Sequence, residues 1–219
     1  MPEKIPAGEK KRVRAIVRRL EKAYPAAECA LHHRNPFELL VATILSAQST
    51  DMTVNKVTPA LFARYPTPND LATAKRQDVE TLVYATGFFH NKAKSIQGAA
   101  RMLVEDFEGE VPRAMEDLLK LPGVARKTAN VVRGVSFGLA DGVVVDTHVR
   151  RISQRLGLTK HEDPQKIEQN LMLLLPKSKW IAFSHQVIWH GRRICDAKRP
   201  KCADCTLQEL CPSAFSFNK

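Results

Sequence analysis

Helix start and stop signals divide nearly the whole chain into short segments. Asn35-Pro36 sets a capping side chain before a proline at the first helical position, and Gly109 and Gly138 follow the apolar runs that they end. Between these signals, apolar residues recur at helical spacing. The one β-like run, VVV at 143–145, is too short to build a sheet. The pattern predicts an all-α protein of about ten helices joined by short loops.

Three residues make more specific predictions about helix boundaries. Asp51 is expected to cap the helix that follows FELLVATILSA. Pro59 lies inside that helix and is expected to kink or split it, because proline has no N–H to donate. Asp146 follows three valines and precedes Thr147, which predicts that it caps the next helix.

The charge balance indicates a polyanionic partner. Lys and Arg number 34 against 23 Asp and Glu, a formal charge of +11, which favours nucleic acid, although some basic enzymes share this composition. Aromatic residues are only 6%, which argues against a broad base-stacking platform. No apolar stretch approaches the ~20 residues of a membrane span, and the N-terminus does not resemble a signal peptide. We therefore expect a cytoplasmic protein without a membrane partner, whose cysteines bind metal or stay as thiols.

The stretch LPGVARKTANVV at 121–132 places cations at the beginning of a helix. Pro122-Gly123 is a turn signal, and the residues beyond it have helical spacing. Lys127 would then lie near the positive end of the helix macrodipole, which is unfavourable for a cation. Either an anionic ligand or chemistry would explain it, and the residues alone favour a phosphate ligand.

Four cysteines, Cys195, Cys202, Cys205 and Cys211, occur within 17 residues, separated by six, two and five residues. Such short loops close at little entropic cost, so the pattern predicts one metal centre. Spacing alone leaves zinc and an iron–sulfur cluster open, although zinc sites usually show two CxxC-type pairs and this sequence has one. The cations among the cysteines, Arg199 included, would form a phosphate-binding edge or merely a solvated loop.

Several stretches together resemble the endonuclease III family of helix-hairpin-helix, iron–sulfur DNA glycosylases. They are the hairpin LPGVARKTANVV, the segment VVVDTHVRRI, the cysteine pattern at 195–211, NPFELLVATILSAQSTDMTVNK at 35–56 and ATGFFHNKAKSI at 85–96. The resemblance covers nearly the whole chain. It implies a bifunctional glycosylase and AP lyase of base excision repair, which removes oxidised pyrimidines through a lysine Schiff base and cleaves the strand by β-elimination.

The resemblance also implies two helical lobes with the active site in the cleft between them. A six-helix bundle with the helix-hairpin-helix would span 29–139. Residues 1–28 and 140–219 would combine the N-terminal helix with the C-terminal iron–sulfur cluster domain. The expected partner is double-stranded DNA that contains damaged bases or abasic sites, bound by a monomer associated with the nucleoid.

Site residues carry over by position. Lys127 matches the Schiff-base nucleophile, Asp146 the catalytic aspartate, and the four cysteines the ligands of a 4Fe–4S cluster. Gln48 matches the glutamine that fills the gap left by an extruded nucleotide, and Phe88 an apolar wedge that is often leucine. The hairpin usually reads LPGVG, so Ala125 departs from the pattern. The remaining residues expected to contact DNA are Leu121, Gly123, Ala125, Arg126 and Arg199.

Two rival interpretations compete with this one, and the sequence points away from the first. The adenine-mismatch branch shares the hairpin and the cluster, but it lacks the lysine at the position of Lys127 and carries a further C-terminal domain, whereas this sequence stops eight residues after Cys211. A non-catalytic DNA-binding protein, with a structural or redox-sensing metal, is the rival from another class. Turnover on damaged duplex DNA separates it from an enzyme.

Overall fold

A computed structural model of the chain describes residues 6–217. These residues form α-helices and short 3₁₀ turns without a strand, which confirms the predicted all-α fold. No helix in the described part of the chain has the length and apolar character to cross a membrane. In chain order the helices are α1 (Ala7–Ala23), α2 (Pro36–Leu45), α3 (Asp51–Arg64), α4 (Pro68–Thr73), α5 (Arg76–Val83), α6 (Phe89–Asp106), α7 (Met115–Leu118), α8 (Arg126–Phe137), α9 (Thr147–Arg155), α10 (Pro164–Leu174) and α11 (Trp180–Arg193).

The chain forms two compact units. The central unit is Cys29–Leu139, and the terminal unit combines Met1–Glu28 with Ala140–Lys219, of which 6–28 and 140–217 are described. The chain therefore leaves the terminal unit after its first helix and later returns to it. This discontinuity explains why composition reveals no linker.

Helix α2 forms the centre of the central unit. All of its residues from Phe37 to Leu45 are buried, as expected of a helix that is apolar on nearly every side. The charged residue among them, Glu38, pairs with Arg34 at 2.6 Å. The helix packs against α3, α6 and α8, while α6 also packs against α4 and α5. The turn at the end of α2 and the loop before α6 are thus both anchored on one rigid core.

In the terminal unit, α1 and α9 both pack against α11. Val13, Ile16 and Leu20 form the buried face of α1. Gly191 of α11 allows α9 to approach closely, because a Cβ at this position would lie 2.6 Å from Nδ1 of His148 and 2.9 Å from Cδ1 of Ile152. This packing fixes α9, which begins directly after Asp146.

One prediction about α3 was wrong, and a second was wrong in part. Thr50, and not Asp51, is the N-cap: its side chain accepts a hydrogen bond from the N–H of Thr53 at 3.1 Å, while Asp51 is the first helical residue and favourably placed for the macrodipole. Pro59 does not split the helix, which continues to Arg64, while the alternative of a kink stays a prediction. Pro59 is exposed, so the hydrogen bond that it removes lies where water can replace it.

Candidate active-site residues and cysteine site

The hairpin between α7 and α8 depends on Gly123. Its φ is +79°, and a Cβ there would lie 2.8 Å from Cβ of Ser95 on α6 and 3.1 Å from Cγ2 of Ile44 on α2. Glycine therefore serves both the left-handed backbone and the close packing of the turn. Leu121 is only 2% exposed, so its side chain belongs to the core and a DNA contact would fall to its backbone.

Ala125, where the family usually has glycine, is accommodated without strain. It is the N-cap of α8, with φ −99° and ψ 171°, an extended conformation that any L-residue adopts. Its side chain is exposed and gives no capping hydrogen bond, and the first turn of α8 contains no acidic residue. The first turn of α8 thus supplies no acidic side chain of its own, which suits an external anion.

Lys127 lies in the first turn of α8, next to Arg126, and both side chains are exposed. Lys127 makes no ion pair or hydrogen bond through its side chain with residues 6–217. The helix macrodipole disfavours a cation here, so nothing in the local fold accounts for this lysine. Its position therefore suits either an anionic ligand or covalent chemistry.

Gln48 and Phe88 are both exposed residues with left-handed backbones in the central unit. Gln48, in the turn after α2, has φ +53°, and Phe88, directly before α6, has φ +48°. The Phe88 side chain is 64% exposed. A left-handed residue other than glycine costs about 1–2 kcal/mol, and such strain is concentrated at functional positions. Both residues predicted to enter the DNA stack are thus strained and accessible.

Asp146 is the N-cap of α9, as predicted. Its Oδ1 accepts a hydrogen bond from the N–H of Val149 at 2.7 Å. The preceding segment is held by buried Val143 and by the N–H of Val144, which donates to Oγ of Ser184 at 3.1 Å. Oδ2 accepts no hydrogen bond from the described residues, so one carboxylate oxygen is available for a ligand.

The four predicted ligand cysteines line one cavity in the terminal unit, and each is partly buried. The loop that carries them is closed by backbone hydrogen bonds, from the N–H of Cys195 to the His190 carbonyl at 2.9 Å and from the N–H of Lys201 to the Ile194 carbonyl at 2.9 Å. Within 6–217, no three His, Cys, Asp or Glu side chains converge tightly enough for a single metal ion. Cysteine thiolates bind both zinc and iron–sulfur clusters, so a cavity lined by four of them suits a thiolate-bound metal centre.

Hydrogen bonds to the sulfurs support the same interpretation. Nη1 of Arg155 donates to Sγ of Cys195 at 3.2 Å, and the N–H of Leu207 donates to Sγ of Cys205 at 3.4 Å. Burial, and then the neighbouring sulfurs, raise the pKa of the Cys205 and Cys211 thiols. Four thiolates would therefore be unfavourable here without a bound cation to compensate them.

The cation-rich loop between the first two cysteines has a defined conformation. Oδ1 of Asp196 accepts hydrogen bonds from the N–H groups of Lys198 at 2.8 Å and Arg199 at 3.2 Å, and these bonds lower the pKa of the Asp196 carboxyl. The side chains of Lys198, Arg199 and Lys201 are exposed. The structure therefore presents these cations to solvent from an ordered turn.

Two residues with conspicuous contacts were not predicted from the sequence. Arg155 is buried, and besides Cys195 it binds the carbonyl groups of Asp196 and Ala197 at 2.6 and 2.8 Å. Lys92 is buried in α6 and binds the Thr86 carbonyl at 2.7 Å. The four-residue spacing of Arg151 and Arg155 in THVRRISQR indicates a shared helix face, whereas nothing in the sequence marks Lys92 as buried.

Comparisons with known proteins show the family of this chain. A family model for the HhH-GPD superfamily of base excision DNA repair proteins matches residues 41–177. Endonuclease III of Synechocystis sp. is 59% identical over 208 residues, which cover 95% of each chain. Endonuclease III of Bacillus subtilis is 45% identical over 202 residues, which cover 92% of each chain.

Solved structures show the same relationship. A non-covalent Endonuclease III–DNA complex matches with a TM-score of 0.89 and 44% identity, covering 94% of this chain and 97% of that chain. A trapped Endonuclease III–DNA covalent intermediate matches with the same values. The chain therefore belongs to the HhH-GPD superfamily and, within it, to the endonuclease III family.

Proposed function

We propose that this chain excises oxidised pyrimidines from duplex DNA with Lys127 as the nucleophile. As a member of the endonuclease III family, the chain is a base-excision-repair DNA glycosylase with AP lyase activity. The observation that carries the assignment of Lys127 is its position: it is exposed, unpaired within 6–217, and lies in a first helical turn that contains no acidic residue. A phosphate bound at that end would bring the sugar of a nucleotide close to the amine.

The reaction requires the neutral amine of Lys127. Its nitrogen forms a bond to C1′ of the damaged nucleotide while the glycosidic bond breaks, and the base leaves with a proton. Opening of the sugar ring converts the product to an imine. Loss of a C2′ proton then permits β-elimination, in which the C3′–O bond breaks and the 3′ phosphate leaves. Two easier steps thus replace one difficult cleavage.

Asp146 is the proposed carboxylate of the reaction. Oδ1 caps α9, so the group is held in one orientation, while Oδ2 accepts nothing from the described residues. A carboxylate so fixed can either stabilise the positive charge that develops on the sugar or accept a proton from the attacking amine. Capping and catalysis therefore use different oxygens of the same group.

Gln48 and Phe88 are the proposed residues that enter the DNA. The target atom is inaccessible inside a duplex, so the nucleotide must be extruded and its place filled. Gln48 can hydrogen-bond to the orphaned base, and Phe88 can wedge between base steps. Their exposure and left-handed backbones support these roles, since both side chains extend away from the core.

The hairpin is the proposed phosphate contact. DNA phosphates would be bound by the backbone N–H groups around Gly123 and Ala125, a contact that does not depend on base sequence. Leu121 anchors this turn in the core, and Arg126 adds a neighbouring positive charge. Such binding suits an enzyme that must search genomic DNA. We also infer that the protein acts in the cytoplasm, at the nucleoid, and that it acts as a monomer.

The four cysteines are the proposed ligands of a 4Fe–4S cluster. Their shared cavity and the N–H donors on their sulfurs fit such a group. When bound, the cluster would hold the loop of 195–211 rigid. Arg199 and its neighbouring cations would then form a fixed edge for DNA phosphates, and no catalytic step depends on the metal.

Borohydride trapping tests the proposal. A duplex with one thymine glycol is incubated with the parent chain, with Lys127→Gln, and with Lys56→Gln as a control for an exposed lysine in the middle of α3. We expect a reduced covalent adduct with the parent and the control, and none with Lys127→Gln. An adduct with Lys127→Gln would assign the nucleophile elsewhere. Binding by the parent without an adduct would make Lys127 a phosphate ligand.

A further inference from the structure

Lys92 contacts the backbone on both sides of Gly87. It lies in the first turn of α6 and is 6% exposed. Its Nζ donates to the carbonyl of Thr86 at 2.7 Å, and its backbone N–H donates to the carbonyl of Phe88 at 3.0 Å. Lys92 thus donates hydrogen bonds to the carbonyl groups of the two residues on either side of Gly87.

This lysine is energetically unfavourable for the fold alone. No carboxylate pairs with it among residues 6–217, and burial lowers its pKa. It also lies near the positive end of α6, where the macrodipole disfavours a cation. An apolar side chain of similar length would fill the same volume without the desolvation cost. What the ammonium contributes beyond volume is its hydrogen bond to Thr86.

That hydrogen bond stabilises a strained segment. Gly87 and Phe88 have consecutive positive φ angles of +69° and +48°. The 3₁₀ turn Tyr84–Thr86 leads into them, and Oγ1 of Thr86 donates back to the Val83 carbonyl at 2.8 Å. Without Lys92, the Thr86 carbonyl would lose the buried donor that opposes relaxation of the turn.

We propose that Lys92 is a positioning residue for Phe88, fixing the loop so that the phenyl ring is presented before DNA binds. This inference rests on the proposed wedge role of Phe88. Lys92 itself does not touch DNA, since its side chain is buried beneath the loop. Its effect is preorganisation: a loop already in the inserting conformation loses less conformational freedom when the ring enters the stack.

The experiment measures the unstacking of DNA bases and the rate of base excision separately. A duplex with 2-aminopurine beside a tetrahydrofuran abasic analogue reports insertion by fluorescence, and a thymine glycol duplex gives the single-turnover rate at saturating enzyme. We expect Lys92→Met to lower both the fluorescence rise and the rate about fivefold to tenfold, the factor for one hydrogen bond. The Kd should change less than twofold. Lys94→Met removes the same charge from an exposed position of α6 and should keep the parent rate and fluorescence.

A double-mutant cycle with Phe88→Ala shows whether Lys92 acts through the ring. In the Phe88→Ala background, Lys92→Met should have no further effect. An equal loss in both backgrounds would overturn the proposal, as would parent-like fluorescence and rate in Lys92→Met. A parent-like Phe88→Ala would instead refute the wedge role, while adduct formation by Lys127 would be unaffected.

Thermal unfolding of each variant excludes a general loss of structure. Lys92→Met is expected to unfold cooperatively, close to the parent temperature. If it does not, Lys92→Gln, which also removes the ammonium but keeps a polar side chain, is taken through the same cycle. Equal losses for Lys92→Gln with and without Phe88 would overturn the proposal in the same way.

Discussion

Replacement of Gly123 by alanine is the sharpest test of how the hairpin is held. The new methyl group would be placed on a residue with φ +79°, within 2.8 Å of Cβ of Ser95 and 3.1 Å of Cγ2 of Ile44. Ser95 belongs to α6 and Ile44 to α2, two packed helices that cannot both withdraw without disturbing the core. The substitution therefore combines backbone strain with a steric overlap.

The expected loss of stability follows from these two contributions. The left-handed backbone costs about 1–2 kcal/mol for a residue with a Cβ. Overpacking of a core contact adds about 1–3 kcal/mol. Together they predict about 2–5 kcal/mol, and a value near 3 kcal/mol would lower the Tm by roughly 6–12 °C in a chain of this length.

Two other glycines of the central unit separate the contributions. Gly109 has φ +82°, and a methyl group added there would meet nothing within 4 Å, so Gly109→Ala carries the backbone cost alone. Gly98 lacks a positive φ, but a Cβ there would lie 3.1 Å from Cγ of Pro122. Gly98→Ala therefore combines this contact with the gain in helix propensity, about 0.5–1 kcal/mol, of alanine over glycine inside α6. Urea denaturation of the three variants, followed by circular dichroism, measures the differences. A Gly123→Ala variant no less stable than Gly109→Ala would refute the steric argument.

Three further outcomes are expected. Asp146→Asn should keep the cap of α9, and hence the Tm, because Asn caps as well as Asp, while the single-turnover rate falls about 10²–10⁴-fold; an unchanged rate would remove the carboxylate from the mechanism. Duplex affinity should fall steeply with salt, and Arg126→Gln should reduce the slope of log K against log[salt] by about 1, measured by fluorescence anisotropy; a salt-independent Kd would contradict phosphate binding by the hairpin. Cys202→Ser should lower the iron content of the purified chain and expose the loop of 195–211 to proteolysis, whereas Cys29→Ser, outside the cysteine site, should leave the iron content unchanged.

The helices were largely predictable because their boundaries depend on local chemistry. Asn35, Asp146 and Gly138 have the capping roles that their sequence contexts predict. The error at Asp51 arose because two adjacent residues could both cap, and the hydroxyl of Thr50 reaches the N–H of Thr53. Choosing between them requires backbone angles that composition does not encode.

The site residues could be predicted from the sequence to different extents. The resemblance supplied Lys127, Gln48 and Phe88, and the structure shows that all three are exposed, while their roles stay predictions. The burial of Lys92 could not be predicted, because an isolated lysine in a helical pattern is normally solvated. Its partner is a backbone carbonyl, and such contacts leave no pattern in the sequence.

Several departures from local folding rules in the central unit lie at residues with proposed roles in DNA repair, whereas Glu108 and Phe215, which are left-handed as well, have no proposed role. Lys127 is a cation at the positive end of α8, Lys92 is a buried cation near the positive end of α6, and Gln48 and Phe88 are left-handed without being glycine. Each feature costs free energy that a change of one residue would remove. Asp146, by contrast, obeys the capping rule, so its chemistry cannot be inferred from strain and must be tested by removing the charge while keeping the cap. The two kinds of residue therefore need different experiments: substitutions that relieve strain for the first, and isosteric substitutions for the second.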